Sequence, residues 1–129
     1  MKIEHIALWA NDLEQIRKFY TTYFNMSCGE KYVNETKGFS SYFLSFEGSE
    51  TRLEIMNHPS VSEHIGGNFM GCGLVHLAIS VGNKTKVDEL TEKLRQDGYI
   101  IASEPRTTGD GYYESAVLDP EGNQVEITE

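Results

Sequence analysis

The chain has 129 residues, 39% of them hydrophobic, and a formal charge of −9 from 11 Lys and Arg against 20 Asp and Glu. That length suits one domain with a real core, and the acidic balance excludes nucleic acid as a partner, because the surface as a whole repels polyanions. Cys28 and Cys72 stand far apart in no ligand-like pair, which excludes a disulfide framework and a zinc knuckle and fits a reducing cytoplasm.

In chain order, Ile3 to Ala10 reads as a strand, opening without a charged leader and apolar run, and no stretch reaches membrane-spanning length. Asn11 or Asp12 is a suitable N-cap for a helix whose Ile16, Phe19, Tyr20, Tyr23 and Phe24 fall at helical spacing and form a core stripe. Asn25 to Gly29 ends that helix. A short strand through Tyr32 and Val33, a polar loop from Asn34 to Gly38, a strand from Phe39 to Phe46, a turn from Glu47 to Glu50 and a strand from Arg52 to Met56 follow.

Asn57 to Gly73 contains Gly66, Gly67, Gly71 and Gly73 and no clear period, so it is either a lid or a linker. His58 and His64 within it read as solvated loop histidines. Leu74 to Val81 is then a strand, and Asn83 or Thr85 caps a helix with Val87, Leu90 and Leu94 as its stripe and Gly98 as its stop. Tyr99 to Ser103 reads as a strand, Glu104 to Gly111 as a loop, Tyr112 to Leu118 as a strand, Asp119 to Gly122 as a turn, and Gln124 to Thr128 as the last strand.

The two halves repeat each other. HIALWANDLEQIRKFYTTYFNM runs beside HLAISVGNKTKVDELTEKLRQDGY, and FLSFEGSETRLEIM beside AVLDPEGNQVEIT. The pattern predicts an α+β fold of two tandem βαβββ modules, about 1–56 and 74–129, joined by a linker over about 57–73. His5 precedes Glu54 by 49 residues, and His76 precedes Glu126 by 50. Glu54 lies between Leu53 and Ile55, Glu126 between Val125 and Ile127, and His76 between Val75 and Leu77. Successive strand residues face opposite sides. If Ile6, Leu8, Leu53, Ile55, Leu77, Ile79, Val125 and Ile127 pack on helices, two imidazoles and two carboxylates look out of the other face. Each alone reads as a solvated side chain; the four in a duplicated frame read as a metal ligand set.

The HIAL and HLAI openings, the LDPEGNQVEI ending and this His, Glu, His, Glu series resemble the vicinal oxygen chelate superfamily, which includes glyoxalase I, fosfomycin-resistance proteins, extradiol dioxygenases and methylmalonyl-CoA epimerase. The resemblance covers nearly the whole chain and is strongest to the bacterial type of lactoylglutathione lyase. It implies modules curled into half-barrels, a homodimer, a small substrate with vicinal oxygens, and one divalent ion (Ni, Co, Zn, Mn or Fe(II)). His5, Glu54, His76 and Glu126 match the superfamily's four metal positions. Glu54 and Glu126 are then also the catalytic pair, alternating as proton acceptor and donor while a hemithioacetal passes through an enediolate to a 2-hydroxy thioester.

In glyoxalase I an Arg and an Asn, each four residues past a ligand, grip the carboxylates of glutathione; here Trp9 and His58 stand there, which leaves the thiol open. Arg52, Arg106 and Asn57 are candidate replacements, Trp9 a candidate apolar wall, and Tyr113, of the Tyr112–Tyr113 pair, a candidate hydrogen-bond partner for a substrate oxygen. Rival readings on this scaffold are an epimerase, a ring-cleaving dioxygenase and a metal-free, drug-sequestering protein like the bleomycin-resistance members.

Overall fold

Leu53 and Ile55 alternate with Arg52, Glu54 and Met56 along one strand, and Val125 and Ile127 alternate with Gln124, Glu126 and Thr128 along another. That two-residue period sorts each sheet into an apolar face and a polar one. The computed structural model describes residues 1–62 and 73–129 and divides into two units between residues 64 and 65. His64, Gly66, Gly67, Gly71, Cys72 and most of the proposed lid or linker lie outside the described residues.

The first unit runs β1 (His5–Trp9), α1 (Leu13–Tyr23), β2 (Ser27–Cys28), β3 (Tyr32–Asn34), β4 (Phe39–Ser45) and β5 (Arg52–Asn57). Its sheet has the order β1-β5-β4-β2, with β3 also on β4; β1 and β5 are parallel and the rest antiparallel. Asp12 starts α1 by accepting from the backbone N–H groups of Glu14 (3.1 Å) and Gln15 (2.9 Å), a cap whose removal costs about 1 kcal/mol. Leu13, Ile16, Phe19 and Tyr20 are buried against β4 and β5, where Leu44, Leu53 and Ile55 complete the core. Asn25, at φ 53°, ends the helix in the left-handed conformation that Asn tolerates.

The second unit repeats the plan with β6 (His76–Ser80), α2 (Lys84–Gln96), β7 (Ile101–Thr107), β8 (Tyr113–Leu118) and β9 (Gln124–Thr128), in the sheet order β6-β9-β8-β7. Asn83 is the N-cap, and Gly98 at φ 89° follows the C-terminus. Val87, Thr91 and Leu94 are buried, as are Val117, Val125 and Ile127. The architecture is the expected α+β pair of βαβββ-like modules. Ile6, Leu8, Leu77 and Ile79 are only half-buried because β1 and β6 are edge strands.

Two local expectations need correction. The stretch from Glu104 to Thr107 is not loop but the second half of β7, despite Pro105. β7 is an edge strand with register shifts between Ile101 and Ser103 and between Ser103 and Arg106, and a bulged edge tolerates a residue that has no N–H to donate. The first sheet also gains the two-residue strand β2, which lies inside the stretch from Asn25 to Gly29 expected only to end the helix.

Candidate active site

His5 opens β1 opposite Arg52, and Ala7 stands opposite Glu54; in the second unit His76 is opposite Gln124 and Ala78 opposite Glu126. The same parallel register is therefore built twice. Residues directly opposite one another share a face, so His5, Trp9, Arg52, Glu54 and Met56 project from the side of their sheet away from α1. His76, Ala78, Gln124 and Glu126 do the same with respect to α2.

In the first unit His5 Nε2 lies 3.8 Å from Glu54 Oε2, and in the second His76 Nδ1 lies 3.2 Å from Glu126 Oε1. The carboxylate side chains are 15% and 17% exposed and the imidazoles 40% and 39%, so each acid is sunk and each ring is open. His5 Nδ1 is taken by the carboxylate of Glu4, which also pairs with Arg52. These contacts, with His5 first and Arg52 second, hold the Glu4 carboxyl below its ordinary range. The Arg52 guanidinium lies 4.0 Å from the centre of the Phe43 ring, and Phe43 meets His5 edge-on at 5.6 Å. Glu4 and Arg52 thereby orient His5 with Nε2 toward Glu54, as outer partners orient a ligand histidine. Glu4 escaped the sequence reading because a strand running from Ile3 puts it on the apolar face with Ile6 and Leu8, whereas β1 begins at His5 and leaves Glu4 outside that alternation.

Two donors bound to one ion at about 2.1 Å and at a right angle stand about 3 Å apart. The His76–Glu126 spacing of 3.2 Å is near that value and the His5–Glu54 spacing of 3.8 Å is wider; imidazole with carboxylate suits a borderline divalent ion. The structure presents these donors as two pairs, one in each unit. Among the described residues no group of three or more His, Cys, Asp or Glu side chains stands together to hold an ion.

Trp9 is 53% exposed and packs edge-on against Phe39 at 6.3 Å, on the face that carries His5. Arg106 is opposite Glu114 on the face of Glu126, 3.5 Å from the Glu114 carboxylate and bonded to Ser103 Oγ. Tyr113 lies on the helix side of its sheet, not beside Glu126: its hydroxyl donates to Asp88 of α2 at 2.8 Å, with Lys84 over its ring. Asn57 is committed to backbone, donating to the carbonyls of Ala10 (2.8 Å) and Asn11 (3.2 Å).

His58, read from sequence as solvated, instead lines a cavity of about 530 Å³ with Tyr32, Asn34, Lys37 and Phe39. Those four were not singled out from the sequence. Their signal was the β3–β4 hairpin, in which Asn34 pairs with Phe39 and Tyr32 with Ser41, putting Tyr32, Asn34 and Phe39 on one face.

Residues 2–127 match the model of the Glyoxalase/Bleomycin resistance protein/Dioxygenase superfamily. The chain belongs to that superfamily. Members of this superfamily commonly use a divalent metal and bind small molecules. The uncharacterised Bacillus subtilis (strain 168) protein YqjT is 29% identical over 133 residues, which cover 97% of this chain and 96% of the relative. Zea mays glyoxalase I shares the fold at a TM-score of 0.80 and 26% identity over 98% of this superfamily member, which spans only 44% of the maize chain. Leishmania major glyoxalase I, described as trypanothione-dependent, matches at a TM-score of 0.79 and 25% identity, covering 100% of this chain and 86% of its own. Among the described residues no helix is long and apolar enough to cross a membrane.

Proposed function

We propose that this chain is a metal-dependent lyase of the glyoxalase I kind, converting a hemithioacetal of a small 2-oxoaldehyde to a 2-hydroxy thioester. The observation that carries this reading is the His–Glu pair built twice in one register, His5 with Glu54 and His76 with Glu126. These four would hold one divalent ion (Ni, Co, Zn, Mn or Fe(II)), the two pairs meeting within one chain or across a homodimer. A bound ion supplies polarisation of the substrate's adjacent oxygens, which acidifies the carbon between sulfur and carbonyl.

The remaining work falls to side chains. Glu54 and Glu126, each sunk beside an imidazole, take the proton from the sulfur-bearing carbon and return one to its neighbour. The carbon that loses the proton is oxidised by as much as its neighbour is reduced, so no outside oxidant enters. Glu4 and Arg52 keep His5 oriented, and Trp9 and Arg106 border the substrate. Because Trp9 and His58 stand where glutathione carboxylates would be gripped, we assign the substrate to a different thiol. The cysteine usage supports a cytoplasmic setting.

A panel of hemithioacetals made from different thiols, assayed with each metal in turn for 2-hydroxy thioester, tests the proposal. Turnover with at least one pairing, reduced about 100-fold or more in Glu54→Gln and Glu126→Gln, supports it. No turnover with any pairing overturns the lyase assignment.

A further inference from the structure

We propose that the cavity lined by Tyr32, Asn34, Lys37, Phe39 and His58 is a recognition subsite for a flat aromatic ring bearing a carboxylate. Three aromatic rings stand in series there: Trp9 edge-on to Phe39 at 6.3 Å, and Phe39 tilted against Tyr32 at 6.1 Å. Trp9 and Tyr32 are 53% and 54% exposed. Aromatic faces left to water beside an open cavity gain most from another ring, stacked or edge-on. At about 530 Å³ the cavity falls within the usual range of small-molecule sites, roughly 300–1,000 Å³.

The polar lining selects the charge. Lys37 brings an ammonium that pairs with no carboxylate among the described residues, although the chain carries a net charge of −9. Its backbone N–H donates to Asn34 Oδ1 at 3.1 Å, which fixes the turn that presents it. His58 Nδ1 accepts from the Ser60 backbone N–H at 3.1 Å, so the ring hydrogen sits on Nε2 and the imidazole can serve as a second donor. An ammonium and an N–H beside aromatic walls fit an aryl carboxylate, joined by a charge-assisted hydrogen bond. The turn is also pre-set: an added Cβ on Gly38 would stand 3.2 Å from Pro59 Cγ, so the hairpin lies tightly on the segment after β5.

Tyr32, Asn34 and Phe39 share the face of Glu54, since Phe43 is opposite Glu54 and Tyr32 and Asn34 are paired with Ser41 and Phe39 on the same strand. Trp9 is four residues beyond His5 along β1, roughly 13 Å at about 3.3 Å per residue. Resting on the lyase reading, the ring then belongs to the tail of the same substrate, several bonds from its vicinal oxygens.

Trp9 is the sole tryptophan and packs on Phe39 of the cavity lining, so its emission reports on the cavity through that ring. Metal-free protein is titrated with 3-phenylpropionate, with the neutral 3-phenylpropionamide and with hexanoate. A saturable change with 3-phenylpropionate is expected, with the amide binding about ten-fold more weakly for want of one charge-assisted contact and hexanoate about ten-fold more weakly for want of a ring to stack. Lys37→Met should erase the preference for acid over amide, and Tyr32→Ser should weaken both aryl ligands, with thermal unfolding confirming that each variant is folded. No saturable response, equal binding of hexanoate, or an unchanged acid preference in Lys37→Met overturns the proposal. Neither metal nor turnover is needed. A protein that binds 3-phenylpropionate but converts no hemithioacetal keeps the subsite and loses the lyase; one that converts hemithioacetals but gives no response does the reverse.

Discussion

Tyr42 on β4 donates its hydroxyl hydrogen to Glu14 Oε1 at 2.8 Å, tying the sheet to the first turn of α1. Lys31 and Arg17 close on the same carboxylate at 3.1 and 2.9 Å, and both cations lie over the Tyr42 ring. Tyr42 first, and then the two cations, bring the Glu14 pKa down from 4.5 to about 2. A carboxyl lowered by folding contributes stability that is fully present above its unfolded value and is lost as pH falls through the folded one. The window is therefore pH 4.5 to about 2. In thermal melts across that range the natural protein should lose more stability than Glu14→Gln, and coincident acid limbs would contradict the assignment. At neutral pH, Tyr42→Phe should cost about 1 kcal/mol, the usual net worth of one hydrogen bond. The second unit uses the same device with Tyr113 and Asp88.

Thr91 and Ser115 join α2 to β8 through a 2.6 Å contact between hydroxyls that are almost fully buried. Thr91 Oγ1 also donates to Val87 O at 2.6 Å. Thr91→Val strands the Ser115 hydroxyl without its partner and should cost about 1–3 kcal/mol. Adding Ser115→Ala removes the stranded group, so the double variant should be more stable than Thr91→Val alone in urea unfolding. Strictly additive losses would show that the hydroxyls do not depend on one another.

Gly38 adopts φ +64° and packs under Pro59. Alanine there meets both the left-handed penalty, about 1–2 kcal/mol, and the proline ring. Gly38→Ala should lower the unfolding midpoint and weaken 3-phenylpropionate binding together. A loss of stability with untouched binding would separate the turn from the cavity.

The duplication and the alternating strands were legible from sequence because they depend on local period, which survives without any knowledge of pairing. Glu54 and Glu126 could be assigned to the polar face for that reason. The edge strand through Pro105 was not legible, since only a bulged register at a sheet margin makes a proline acceptable there. Nor was the partner of His5: Glu4 and Arg52 meet through the β1–β5 pairing, across 48 residues of chain. Proximity to a turn points Tyr113 toward the substrate, but register with β9 sends it to α2. The aromatic cavity depends likewise on a hairpin register that no single residue announces.

Titration of metal-free protein with nickel, cobalt, zinc and manganese by calorimetry tests the central claim most directly. If His5, Glu54, His76 and Glu126 share one ion, binding should saturate at about one ion per chain, and His5→Ala, Glu54→Gln, His76→Ala and Glu126→Gln should each weaken it at least as much as the 10–100-fold typical of outer-partner losses. A protein that takes up none of these ions, or binds them equally well in all four variants, would contradict the shared site.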